Sequence, residues 1–184
     1  MNGALETRAA FELRVAAPRR LAGYAARFGC VSQDLGGFTE EIRAGAFARS
    51  LKSPDGIMAL LEHDRQKVLG RVGAGTVRLA EDDRGLSFEI DLPDTSYGRD
   101  LETLVQRRDI AGASFAFNTP AGGDAWSERN GKPHRELLDV DLHEITITAT
   151  PAYPDTHVAQ RALAGLKPMS VYAVQIALVE AGAL

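Results

Sequence analysis

Hydrolytic and acid–base chemistry near neutral pH draws on few side-chain types, and here they are sparse: His63, His134, His143, His157 and the single Cys30. A serine becomes a nucleophile only when a base within hydrogen-bond reach takes its proton. Ser114, in Gly112-Ala113-Ser114-Phe115-Ala116, invites that reading, with His63 in Glu62-His63-Asp64 as the best base. The serine stretch comes within one residue of a G-x-S-x-G nucleophile elbow. An elbow turns from strand straight into helix, whereas Phe115-Ala116-Phe117 keeps alternating, and His63 precedes the serine instead of closing the order. An α/β-hydrolase elbow is therefore rejected. His143-Glu144 begins like H-E-x-x-H, but position 147 is Ile, and Cys30, His134, His143 and His157 show no ligand spacing. No metal and no cofactor is expected. Gly70-Arg71-Val72-Gly73-Ala74-Gly75 has no Walker lysine-serine ending, so those glycines shape a bend.

The elements that must position these residues read mainly as strands. Phe11, Leu13 and Val15 alternate with Glu12 and Arg14 before Pro18. Leu21 to Val31 continues as a second strand, and Phe47 and Leu51, four apart, suggest one short helix before Pro54. Ile57 to Leu61 is a buried strand that delivers Glu62-His63-Asp64 at its end. Val77 and Leu79, the Asp82-Asp83-Arg84-Gly85 turn, and Leu86, Phe88, Ile90 and Leu92 make a hairpin. Leu101, Leu104, Val105 and Arg108 recur at helical spacing, with Thr95 or Ser96 as N-cap.

Further on, Ala113, Phe115 and Phe117 share a packed strand face, while Gly112, Ser114, Ala116 and Asn118 share a small-residue face that leaves space for Ser114. Thr119 to Pro133 reads as a loop around Trp126. On the strand from Val140 to Thr150, alternation puts Leu142, Glu144, Thr146 and Thr148 on one face. Pro151 and Pro154 stop it; a helix through Leu163 and an apolar tail after Gly165 follow. The domain reading is one β-rich domain over 1–164 and a tail over 165–184. Many short strands without strand-helix repetition argue against a doubly wound parallel sheet and favour a small β-barrel with flanking helices, an α+β fold.

Composition agrees with a single cored domain. The chain has 184 residues, 45% hydrophobic and 25% charged, which excludes fibrous, wholly disordered and disulfide-scaffold classes. A net charge of −4 offers no global field for nucleic acid or anionic lipid. Glu6, Arg8, Glu12 and Arg14 interrupt any signal-peptide apolar stretch, and no run reaches the roughly 20 residues of a membrane span. A lone cysteine suits a reducing compartment, so a soluble cytoplasmic protein is the default.

Taken together, Gly45-Ala46-Phe47, Glu62-His63-Asp64 with Gly70-Arg71, Gly85-Leu86, Leu92-Pro93, Gly112-Ala113-Ser114-Phe115-Ala116-Phe117, Leu142-His143-Glu144-Ile145-Thr146 and Pro151-Ala152-Tyr153-Pro154 resemble the prohead protease family of tailed phages and gene transfer agents. The resemblance spans residues 20 to 163. It implies a serine endopeptidase of capsid maturation with a mainly antiparallel β-barrel ringed by helices, similar to the herpesvirus assemblin proteases. It also implies His63 as general base, Ser114 as nucleophile and Glu144 as the third member, with Asp64 and His143 as alternatives for that third role. The implied partners are the major capsid protein and its scaffolding segment, the protease itself as substrate, and further copies in a homo-oligomer, with no direct nucleic acid and no membrane. The implied location is the host cytoplasm, inside the immature capsid. A capsid-assembly or scaffold-like protein that keeps the fold without activity is the competing class.

Overall fold

The computed structural model describes residues 5–10 and 12–149. Period-two alternation over most of that length produces twelve strands among the described residues: β1 (Glu6–Ala10), β2 (Glu12–Ala17), β3 (Arg20–Arg27), β4 (Thr39–Ile42), β5 (Met58–Leu61), β6 (Asp64–Arg71), β7 (Val77–Glu81), β8 (Gly85–Asp91), β9 (Gly112–Asn118), β10 (Asp124–Arg129), β11 (Lys132–Leu137) and β12 (Asp141–Thr148). One helix, α1 (Ser96–Arg107), joins β8 to β9. The strands form three sheets: β1-β9-β12-β5-β6, β2-β3-β8-β7 and β10-β11-β4. The expected antiparallel barrel is corrected on two points. No sheet of the described residues closes on itself, and two pairs, β12 with β5 and β11 with β4, run parallel.

The core lies between the five-stranded and four-stranded sheets. Ala113, Phe115 and Phe117 of β9 and Ile145 and Ile147 of β12 join Leu21 of β3 and Leu86, Phe88 and Ile90 of β8 in one buried cluster. Phe115 sits edge-on to Phe47 at 5.4 Å and stacks on Phe117 at 5.1 Å, geometries that suit the aromatic quadrupole. The β7–β8 hairpin forms with Val77 opposite Ile90 and Leu79 opposite Phe88. Helix α1 starts where the sequence indicates: Thr95 Oγ1 accepts the Gly98 N–H at 3.2 Å, and Leu101 and Val105 turn into the core.

Four expectations are corrected. The helix before Pro54 is a run of turns ending in a single 3₁₀ turn, Ser50–Lys52, although Phe47 is buried as its apolar spacing required. The loop over Thr119 to Pro133 contains β10 and the start of β11, joined at Asn130-Gly131, both at positive φ (55° and 73°) as a two-residue hairpin turn demands. The alternation assigned to the last strand breaks at a bulge between Leu142 and Glu144. The extra residue, His143, is exposed, and the phase change sends Leu142 to the core with Ile145 and Ile147 while Glu144, Thr146 and Thr148 keep the other face. Finally, β1 adds a strand that patterning had not distinguished. Pro151-Pro154, the helix through Leu163, His157 and the boundary at 164/165 lie outside the described residues.

Candidate active site

His63 is the second residue of the two-residue loop joining β5 to β6, where Leu61 pairs with Asp64. Glu62 and His63 have φ of 53° and 56°, a left-handed pair that turns the hairpin with the twist of its strands but is costly for side chains with a Cβ. Such a conformation persists only where the surroundings over-determine it, at about 1–3 kcal/mol per residue. Here β12 supplies the hold through alternate residues. Glu144 Oε1 accepts from His63 Nδ1 at 2.8 Å, and Thr146 Oγ1 accepts the His63 N–H at 3.0 Å. Thr148 Oγ1 donates to Glu62 Oε2 at 2.6 Å. The Ala149 N–H donates to Glu62 Oε1 at 2.7 Å, and the Glu62 N–H to the Ile147 carbonyl at 3.0 Å.

This clamp fixes the imidazole chemically as well as in space. A carboxylate oxygen only accepts, so Nδ1 carries the proton of the neutral ring and Nε2 is its accepting nitrogen. The Glu144 side chain is only 6% exposed against 36% for His63, so the acid is enclosed while the ring keeps an open side. A carboxylate placed this way holds one tautomer and stabilises the imidazolium formed when Nε2 takes a proton.

Ser114 lies one strand away. It is opposite Thr146 in the β9–β12 pairing, as Ala116 is opposite Glu144, so serine, threonine and glutamate project from one face of the sheet. Ser114 is fully buried, which corrects the expectation that it looks into open space. Its hydroxyl donates to the Arg8 carbonyl at 2.6 Å; among the described residues it does not donate to His63. The β9 edge is likewise closed by β1, antiparallel, with residue 9 opposite Ser114. The structure thus brings His63 and Glu144 together and sets Ser114 on the adjoining strand with its proton turned elsewhere.

The alternative third members stand apart. Asp64 Oδ1 accepts the Gln66 N–H, and its carboxylate pairs with Lys67. His143 points outward on the bulge and bonds Asn118. His134 is buried on β11, bonded through Nδ1 to Thr39 Oγ1 at 2.8 Å. Among the described residues no three His, Cys, Asp or Glu side chains gather as a metal-ligand set, and no helix is long and apolar enough to cross a membrane.

Sequence reasoning missed what holds β1 in place. Arg135 bonds Glu6 (2.5 and 3.0 Å), Glu40 (3.2 Å) and Asp124 (2.7 Å), and Arg8 bonds Glu40 (2.6 and 2.8 Å) and Glu6 (3.1 Å). Burial pushes the Glu6 carboxyl up, but the Arg135 bond and charge, with Arg8 and Thr119, outweigh it and hold Glu6 below its ordinary value near 4.5. Burial opposes the Arg135 charge, and its carboxylate partners raise its pKa nonetheless. The run Glu6-Thr7-Arg8 carried a signal of charge alternation, but its partners lie 32 to 129 residues away.

Residues 6–169 match the family model described as caudovirus prohead serine protease. The fold is similar to that of the bacteriophage T4 capsid assembly protease gp21, with a TM-score of 0.53 and 8% sequence identity over 78% of this chain and 96% of that one. A search of curated protein sequences gives no significant match.

Two outcomes are expected. Thr146→Val leaves the His63 N–H without its acceptor and lowers stability by about 1–3 kcal/mol in urea denaturation. Glu6, depressed in the folded state, favours folding fully above its ordinary pKa, and that contribution is lost as pH falls from 4.5 through its folded value. Glu6→Gln therefore flattens the fall in stability on acidification below 4.5; an acid limb as steep as that of the wild type would show that Glu6 does not carry it.

Proposed function

The chain belongs to the caudovirus prohead serine protease family, and from that premise we propose that it is a capsid-maturation endopeptidase with Ser114 as nucleophile, His63 as general base and Glu144 as the residue that orients the imidazole. The observation that carries the reading is the His63 Nδ1 to Glu144 Oε1 bond, which leaves Nε2 as the proton acceptor. For reaction the Ser114 hydroxyl turns from the Arg8 carbonyl to His63. The serine oxygen attacks a peptide carbonyl carbon as Nε2 takes its proton. The imidazolium, held by Glu144, returns that proton to the leaving amine, and water then releases the acyl group by the same proton exchange. Backbone N–H groups would stabilise the oxyanion. The substrate proposed is the major capsid protein, cut at its scaffolding segment inside the immature shell, with the chain itself as a second substrate.

The reading is tested by co-expressing the chain with its coat protein. Ser114→Ala and His63→Ala each lower processing by roughly 10³-fold or more. Glu144→Gln slows it while the protein still folds. Undiminished processing by Ser114→Ala would remove Ser114 from this assignment, and a wild type that processes no coat protein would favour a capsid-assembly role without catalysis. An unchanged rate in Glu144→Gln would move the third role to Asp64 or His143.

A further inference from the structure

An extended polypeptide presented to Ser114 would lie along the edge of β9, adding a strand to the sheet by backbone hydrogen bonds. That edge is occupied by β1 over Glu6–Ala10, in antiparallel register. The occupant's backbone reaches the proposed nucleophile through one carbonyl, that of Arg8, which accepts the Ser114 hydroxyl at 2.6 Å. The Arg8 side chain ends in a built pocket. Its Nε and Nη2 bind the two carboxylate oxygens of Glu40 at 2.6 and 2.8 Å, and its guanidinium lies over the Phe117 ring, 5.5 Å from the centroid. The Glu40 side chain is 2% exposed, and Arg135 Nη1 fixes it from behind at 3.2 Å. A two-pronged carboxylate beside an aromatic wall matches a planar guanidinium.

Resting on the reading of Ser114 as nucleophile, we propose that β1 fills the substrate lane in cis and that Arg8 marks the residue whose carbonyl is attacked, so that the protease cuts polypeptides after arginine or lysine, selected by Glu40. Pairing in the pocket supports this. When β1 lifts away, Glu6 and Arg8 leave together, and the carboxylates of Glu40 and Asp124 face the single guanidinium of Arg135. Glu40 then loses the two hydrogen bonds that Arg8 gives it, while the net charge of the cluster is unchanged. A basic side chain replaces those bonds, a neutral side chain leaves Glu40 short of a partner, and an acid faces it directly. Glu6, two residues upstream on β1, sits on Arg135, so an acidic residue two positions before the basic one strengthens binding. With its hydroxyl donating to the Arg8 carbonyl and not to His63, Ser114 is held at rest. β1 therefore competes with substrate.

The test uses the full-length chain and a mixture of unfolded peptides of known sequence, with cut sites read by mass spectrometry and Ser114→Ala as the blank. Ser114-dependent cuts are expected after arginine or lysine at least about tenfold more often than after any neutral residue, the scale of discrimination set by an unpaired buried charge. Glu40→Gln is expected to reduce the ratio of kcat/KM for arginyl over neutral peptides by about tenfold or more. Arg8→Ala, which vacates the pocket but keeps the β1 backbone, lowers KM for arginyl peptides. Ser114-dependent cuts without a basic preference would overturn the inference and leave the protease reading standing. A Glu40→Gln variant that slows all peptides alike would do the same. If that variant does not fold, the cut sites of the wild type decide. Absence of Ser114-dependent cuts with both wild type and Arg8→Ala would overturn the inference together with the protease reading.

Discussion

Two consecutive residues, Glu62 and His63, are held in the left-handed region at the tip of the β5–β6 hairpin, and the candidate site depends on that turn. Neither is glycine, so the turn is stable only because β12 answers it on one face. Thr148 takes the Glu62 carboxylate, Thr146 takes the His63 N–H, and Glu144 takes the ring. The period of a strand makes this possible: residues two apart share a face and reach three points along the same loop. The imidazole is thus oriented by groups on a rigid, central strand, the arrangement that keeps a catalytic side chain within a few tenths of an ångström of a fixed position.

The bulge at His143 gives the clamp its phase. Without the bulge, with His143 in regular alternation, Leu142 and Glu144 would share a face, and either a carboxylate would enter the core or a leucine would leave it. With it, β12 contributes Leu142, Ile145 and Ile147 to the core and Glu144, Thr146 and Thr148 to the site. Ser114 shares that second face because β9 pairs with β12 in the register that sets it opposite Thr146. Beyond β9, strand β1 is fastened by an ionic network whose members come from four strands: Glu6 and Arg8 of β1, Glu40 of β4, Asp124 of β10 and Arg135 of β11. Removing one partner from such a network strands a buried charge, so β1 is held or released as a unit.

The sequence revealed the elements whose patterns are local. The β7–β8 hairpin, β9 and α1 follow from alternation, helical spacing and a capping threonine. The Asn130-Gly131 turn was equally legible, as a two-residue hairpin signal inside a stretch taken for a loop. That no sheet of the described residues closes into the expected barrel was not, because closure is decided by which edges pair, and alternation within a strand does not encode it. The pairing of His63 with Glu144, 81 residues apart, was accessible only through the ordered motifs of the resemblance. Strand β1 escaped notice because its five residues mix both charges with alanine, and their partners Glu40 and Arg135 are distant in the chain. The Ser114 to Arg8 contact follows from that strand and was hidden with it.

Reaction with a serine-directed fluorophosphonate, followed by peptide mapping, measures most directly whether His63 activates Ser114. The expected result is a single adduct on Ser114 whose rate of formation falls in His63→Ala and, to a lesser extent, in Glu144→Gln. Modification of a different residue, or labelling of Ser114 that proceeds equally fast without the imidazole, would contradict it.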